Sequence, residues 1–213
     1  MKHTGLTILT MSILLILFFP FAAMGGAVEN PNYFTLKAGI YSPQSDDLED
    51  FDTGFNGEIS YGRYFHPNFA LELGIGYFET EGTSSGFYPI LGGWREKDEI
   101  TAIPLTLTAK GIYPTQYVDL FGGVGIGLYF ASGEADLSTT ALGPLSFDDD
   151  DTVFGFHLLL GANFNVTENI FLGIEGKYLW AEAEFEDTVF GIPVELDADL
   201  EGFTVTGNVG FRF

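Results

Sequence analysis

The sequence predicts an all-β protein, an eight-stranded antiparallel up-and-down barrel, on three observations. Eight segments alternate apolar residues with polar residues or glycine, which is the period of a pleated strand. The connections between them alternate short and long, as in a meander whose tight turns share one end. Glycine reaches 28 of 213 residues, aromatics are many and charged residues few, a mix that suits tight backbone contacts rather than disorder.

The eight segments are YFTLKAGIY (33–41), FNGEISYGRYF (55–65), FALELGIGYF (69–78), ITAIPLTLTAKGIY (100–113), YVDLFGGVGIGLYF (117–130), VFGFHLLLGANFNV (153–166), IFLGIEGKYLWA (170–181) and GFTVTGNVGFRF (202–213). Each is roughly as long as the 9–11 residues of a tilted membrane-crossing strand, some with extensions. Pro104 lacks a ladder donor, so a bulge or a locally unpaired position is expected there. His66-Pro67-Asn68, Pro114-Thr115-Gln116 and Thr167-Glu168-Asn169 form the short turns. The other four connections have 13, 21, 22 and 20 residues. Those four hold 24 of the 30 acids against only Arg95 and Lys97, so almost the whole net charge of −22 sits at one end.

Residues 1–27 read as an address. Lys2 and His3 precede the apolar run LTILTMSILLILFFPFAA and the small-residue stretch MGGA, the order of a secretory signal cleaved after Ala27. Pro20 interrupts the run and no basic stop-transfer cluster follows, which disfavours an uncleaved anchor. The barrel is then residues 28–213. The charge of −22 argues against nucleic acid as a partner. The absence of cysteine excludes disulfides, thiolate metal sites and a lipid-modified N-terminal cysteine.

The two faces of the strands decide the solvent. One carries Phe34, Leu36, Ile40, Leu71, Leu73, Ile75, Val124, Ile126, Leu158, Leu160, Leu172 and Ile174, and its one charge is Arg63 near a short turn. The other is rich in glycine and holds Lys37, Lys110, Lys177 and Arg212 with Glu58, Glu72, Asp119 and Glu175, four positive against four negative. A solvated exterior has no reason to balance its charges, whereas a narrow interior does, because isolated charges there are costly. The apolar face is therefore read as the lipid face, and the eight charges as a lumen ion-pair network. One pair, Lys110 with Asp119, is expected across the Pro114 turn. The competing arrangement is a soluble lipocalin-like barrel with its apolar face inward. Aromatics at the strand ends read as two interfacial girdles: Tyr64, Phe65, Phe69, Tyr113, Tyr117, Phe164 and Phe213 at the turn end, and Phe55, Tyr77, Tyr129, Phe130, Phe154, Trp180 and Phe203 at the loop end.

NFALELGIGYF, AIPLTLTAKGIYP, VDLFGGVGIGLYF and NIFLGIEGKYLW resemble the third, fourth, fifth and seventh strands of the small eight-stranded outer-membrane barrels, the OmpA-like and OmpW-like families. VGFRF resembles their C-terminal strand. The resemblance covers nearly all of 28–213. It implies a monomer in the outer membrane of a Gram-negative-type bacterium with its long loops outside. It also implies that Phe211 and Phe213 form the C-terminal signal read by the barrel assembly machinery.

Chemistry is sparse. Enzymatic barrels of this membrane use a Ser–His pair with a supporting acid or amide. His66 precedes Pro67 in a turn, and His157, on the lumen face between Gly155 and Leu159, lacks the HxS spacing of lipid-hydrolysing barrels. No enzyme and no cofactor are expected. Asp148, Asp149, Asp150 and Asp151 are weak metal candidates, since they lack the glycine and terminal glutamate of an EF-hand loop. The acidic loops are expected to stand among lipopolysaccharide phosphates with divalent cations bridging the two. Three functions remain: a surface-interaction module with a blocked lumen, expected first because eight strands leave little interior room; a narrow conduit for small or apolar solutes, as suggested for OmpW-like barrels; and, remotely, a lipid-modifying enzyme.

Overall fold

The computed structural model describes residues 31–45, 51–88, 92–139, 143–189 and 192–213, with the side chains of 85–96, 135–149 and 182–199 left aside. The expected leader, 1–27, lies outside the described residues.

Nine strands form among the described residues: β1 (Asn32–Pro43), β2 (Gly54–His66), β3 (Phe69–Tyr88), β4 (Gly92–Pro114), β5 (Val118–Thr139), β6 (Gly143–Asn165), β7 (Ile170–Val189), β8 (Ile192–Asp199) and β9 (Gly202–Arg212). Each neighbour in the wall pairs antiparallel, and β1 pairs β9 from Tyr33↔Arg212 to Pro43↔Gly202, which closes the cylinder. Closure gives each wall strand a hydrogen-bonding neighbour on both sides, the condition for crossing hydrocarbon. The wall has eight strands, β1–β7 and β9; β8 pairs only the outer half of β7.

Much of three expected long loops is strand. β3 and β4 remain paired to Tyr88↔Gly92, and β5 and β6 to Thr139↔Gly143. The β1–β2 ladder ends at Tyr41↔Gly54, and β6 leaves β7 after Gly155↔Ala181. Ladder hydrogen bonds do not need an apolar period, so hairpins continue past the membrane on residues whose alternation is polar with acidic. Opposite Pro104 the β3–β4 pairing lapses between Ile75↔Leu105 and Phe78↔Ala102 without a shift of register, so the position is unpaired and no bulge forms.

Alternation sends the apolar face outward. Leu36 is 60% exposed and Leu160 is 72% exposed, whereas the intervening Lys37 and Leu159 are buried. Two residues assigned to the girdles point inward instead. Tyr64 packs on Tyr33, with ring centroids 5.1 Å apart, and Tyr129 is buried in the interior. Both occupy lumen-parity positions on their strands, and a count of aromatics near strand ends ignores that parity.

Candidate functional site: the barrel interior

The interior has layers. In the middle, Lys37 Nζ lies 2.7 Å from Glu58 Oε1, 2.9 Å from Glu72 Oε1 and 2.9 Å from Glu175 Oε1. An ammonium has three donors, so Lys37 is saturated by three carboxylates. Lys110 reaches the second oxygens of Glu72 and Glu175 at 2.7 and 3.1 Å, and Lys177 reaches Glu58. The Tyr33 hydroxyl donates a hydrogen bond to Glu72 Oε2 at 2.9 Å. Three lysines and three glutamates from β1, β2, β3, β4 and β7 form one neutral lattice across the lumen. Buried ions hold only when paired and hydrogen-bonded, and here every member is.

Asp119 and Arg212 form a separate clasp toward the turn end. Arg212 donates to Asp119 Oδ2 at 2.8 Å and to Asn165 Oδ1 at 2.8 Å, and its guanidinium lies 4.6 Å from the Phe171 ring centre. The Lys110–Asp119 pairing expected from the turn is overturned. Lys110 stands opposite Gly123, while Asp119 stands opposite Pro114. The hairpin is centred two residues later than Pro114 suggests, so the aspartate lies four residues along β5 from Gly123, the partner of the lysine, on the same face but two layers away.

Between lattice and clasp sits a mostly aromatic layer, Tyr33, Phe171 and Tyr64 with aliphatic Ile112, and the Phe121 ring lies 4.8 Å from Lys110 Nζ. Tyr33 lies directly opposite Gly62, and Phe171 directly opposite Gly210. A Cβ on either glycine would collide with the facing ring. These two interior glycines seat rings that fill the lumen. A residual cavity of about 20 Å³ remains beside Lys37, Glu72, Lys110 and Asn163. That is room for about one water.

Above the lattice, toward the loops, the lumen is greasy. Tyr41, Phe78, Ile100, Tyr129, Val153, Leu179 and Leu200 form a buried cluster, with Phe51 packed against it. Pairing of Phe51 with Gly82, and the hydrogen bond from Leu200 N to Ala181 O at 2.8 Å, hold these covers in place. The sequence reading missed this cap. Its signal was the parity of Tyr41, Phe78, Tyr129 and Leu179, all in step with lumen positions of their own strands.

The remaining candidates are dispersed. His157 is buried, lies opposite Gly125 and shares a 2.8 Å hydrogen bond with Thr108 through Nε2, while Nδ1 has no partner. His66 Nδ1 accepts from Asn68 N at 3.2 Å, a turn contact. Asp148–Asp151 belong to β6 rather than to a loop, paired with Ala131–Glu134 of β5. Phe213 exchanges backbone hydrogen bonds with Asn32 at 2.9 and 3.1 Å and stacks on Phe34, with ring centroids 5.5 Å apart. The final aromatic is thus sewn onto β1 at the closing seam, and Phe211 beside it faces outward.

A closed cylinder with an apolar outer wall and a charge-paired polar interior defines an integral outer-membrane β-barrel protein. The chain belongs to the family of the outer membrane protein beta-barrel domain, whose family model matches residues 11–213. Its fold is that of OprG from Pseudomonas aeruginosa, at 14% identity over 86% of this chain and 96% of that one, with a TM-score of 0.61. Neisserial surface protein A shares it at 16% identity over 88% and 100% of the chains, with a TM-score of 0.56. The chain is also similar to a Rickettsia conorii protein named "Putative adhesin RC1281", at 27% identity over 184 residues, 76% of this chain and 72% of that protein.

Proposed function

We propose that this barrel is a membrane-anchored surface-interaction module whose lumen is closed and whose acidic loop end faces outside the cell. The observation that carries the reading is the filled interior: a six-residue ion lattice lies under an apolar cap. A hydrated ion would have to part Lys37 from three carboxylates and also enter an apolar layer. Both steps are costly in a medium of low dielectric. The interaction role then falls to the hairpins beyond the membrane, and the adhesin name of the Rickettsia relative agrees with it. The reading includes no catalytic step, because His157, 1% exposed, has no route to a substrate.

Partners follow from charge and position. Lipopolysaccharide phosphates beside the acidic loop end require bridging Mg²⁺ or Ca²⁺. The assembly machinery would meet Phe211 and Phe213 on the last strand. The barrel works as a monomer.

Planar-bilayer recordings test the reading. The wild-type protein gives no reproducible conductance steps, and Lys37→Ala with Tyr129→Ala raises the baseline. Discrete steps from the wild type, abolished by a lumen blocker, establish a conduit instead. In lipopolysaccharide, millimolar Mg²⁺ raises the melting temperature; identical melting with and without chelator removes the cation bridge.

A further inference from the structure

We propose that Arg63 is a binding site for the phosphodiester headgroup of a glycerophospholipid in the leaflet around the short turns. Among the described cations, Lys37, Lys97, Lys110, Lys177 and Arg212 each have a carboxylate within 3.5 Å. Arg63 alone has none, in a chain with 30 acids and 8 lysines and arginines. Its one described interaction is with the Phe65 ring, whose centre is 5.9 Å from the guanidinium carbon.

Arg63 occupies an outward position, between buried Gly62 below the wall surface and the next outward residue, Phe65. It lies opposite Asn32 on β1 and Leu71 on β3. The Asn32 side-chain oxygen already accepts from Tyr61 at 2.9 Å, and Leu71 offers nothing polar. Among the described residues, then, no carboxylate or side-chain oxygen takes up the five donors of the guanidinium.

Depth names the partner. A charge on the lipid-facing wall is tolerated near an interface and not at mid-bilayer. Arg63 lies in the last rung of the β1–β2 ladder, two residues along β2 from exposed Phe65 and close to the His66 turn. The anions at that level are lipid phosphates, which match the planar fork of arginine in two parallel hydrogen bonds. Phe65 and Tyr61 flank the site on β2 and would hold the first carbons of the acyl chains. The site complements the acidic loop end: one leaflet meets the acidic hairpins, the other the outward guanidinium of Arg63.

The inference rests on the membrane reading but not on which side the loops face. In nanodiscs of uniform lipid both leaflets are alike, so its failure leaves the proposed orientation and the closed lumen intact. Wild type, Arg63→Gln, Arg63→Lys and the loop-end control Lys97→Gln are compared in nanodiscs of phosphatidylglycerol and of phosphate-free monogalactosyldiacylglycerol. Circular dichroism confirms equal β content, and native mass spectrometry counts lipid retained after release. Wild type and Lys97→Gln retain one phosphatidylglycerol. Arg63→Gln lowers its occupancy roughly tenfold, as loss of a charge-assisted contact does, and Arg63→Lys lowers it less. Equal retention by Arg63→Gln and wild type, or equal retention of the galactolipid, overturns the proposal and leaves Arg63 merely extended into water.

Discussion

The strands from β3 to β6 run without interruption from the membrane into the hairpins beyond it, yet the two stretches place charge in opposite ways. Inside the cylinder every carboxylate meets a cation, as in the Lys37–Glu58–Glu72–Glu175 cluster. Beyond it, register sets like charges side by side: Glu81 opposite Glu99, Glu99 opposite Glu134, and Glu134 opposite Asp148. Lys97 is the only described cation there, 3.2 Å from Glu81 and 3.5 Å from Glu99. Its hydrogen bond to Glu81 holds the ammonium above its ordinary pKa. Water and counterions screen the outer row; nothing screens the inner cluster. The same ladder can therefore carry a balanced interior and a repulsive exterior, because solvent sets what each rung tolerates.

Substitutions can break or sharpen that contrast. The largest effect is expected from Lys37→Met, which leaves three buried carboxylates sharing two lysines. A loss of about 3–5 kcal/mol is expected in urea unfolding from lipid vesicles; wild-type stability would remove the lattice from the account. Gly210→Ala comes next, since its Cβ would strike the Phe171 ring. Overpacking of this kind costs about 1–3 kcal/mol, and Phe171→Leu in the same chain should restore part of it.

The clasp is smaller. Arg212→Met and Asp119→Asn, singly and together, should show a coupling of about 1–2 kcal/mol, because the pair is charge-assisted and mostly buried. Additive single effects would show the contact to be incidental. At the bottom of the scale, Glu99→Gln should stabilise by a few tenths of a kcal/mol at low salt, by removing one member of the acidic row. The gain should vanish at high salt. A loss of stability instead would mean that the row is held by something other than screened repulsion.

Alternation fixed the eight segments, their two faces and the eight interior charges, because strand period depends only on neighbours in the chain. The identity of the pairs was not legible in the same way. Lys110 meets Glu72 and Glu175 from strands far away in sequence, and Asp119 meets Arg212 near the other terminus. Such partners depend on closure and on the stagger of each hairpin, and a two-residue displacement of one turn was enough to undo the Lys110–Asp119 assignment.

By itself the sequence determined a barrel with its greasy face outward and a neutral polar interior, since residue type, parity and loop length state those things locally. Only the tertiary structure decided that Tyr41, Phe78, Tyr129 and Leu179 gather into a cap, that Gly62 and Gly210 seat rings, and that Phe213 is bound to Asn32. The physical reason is that cross-lumen contacts join residues related by the curvature and shear of a closed sheet, and neither quantity is written in any one strand.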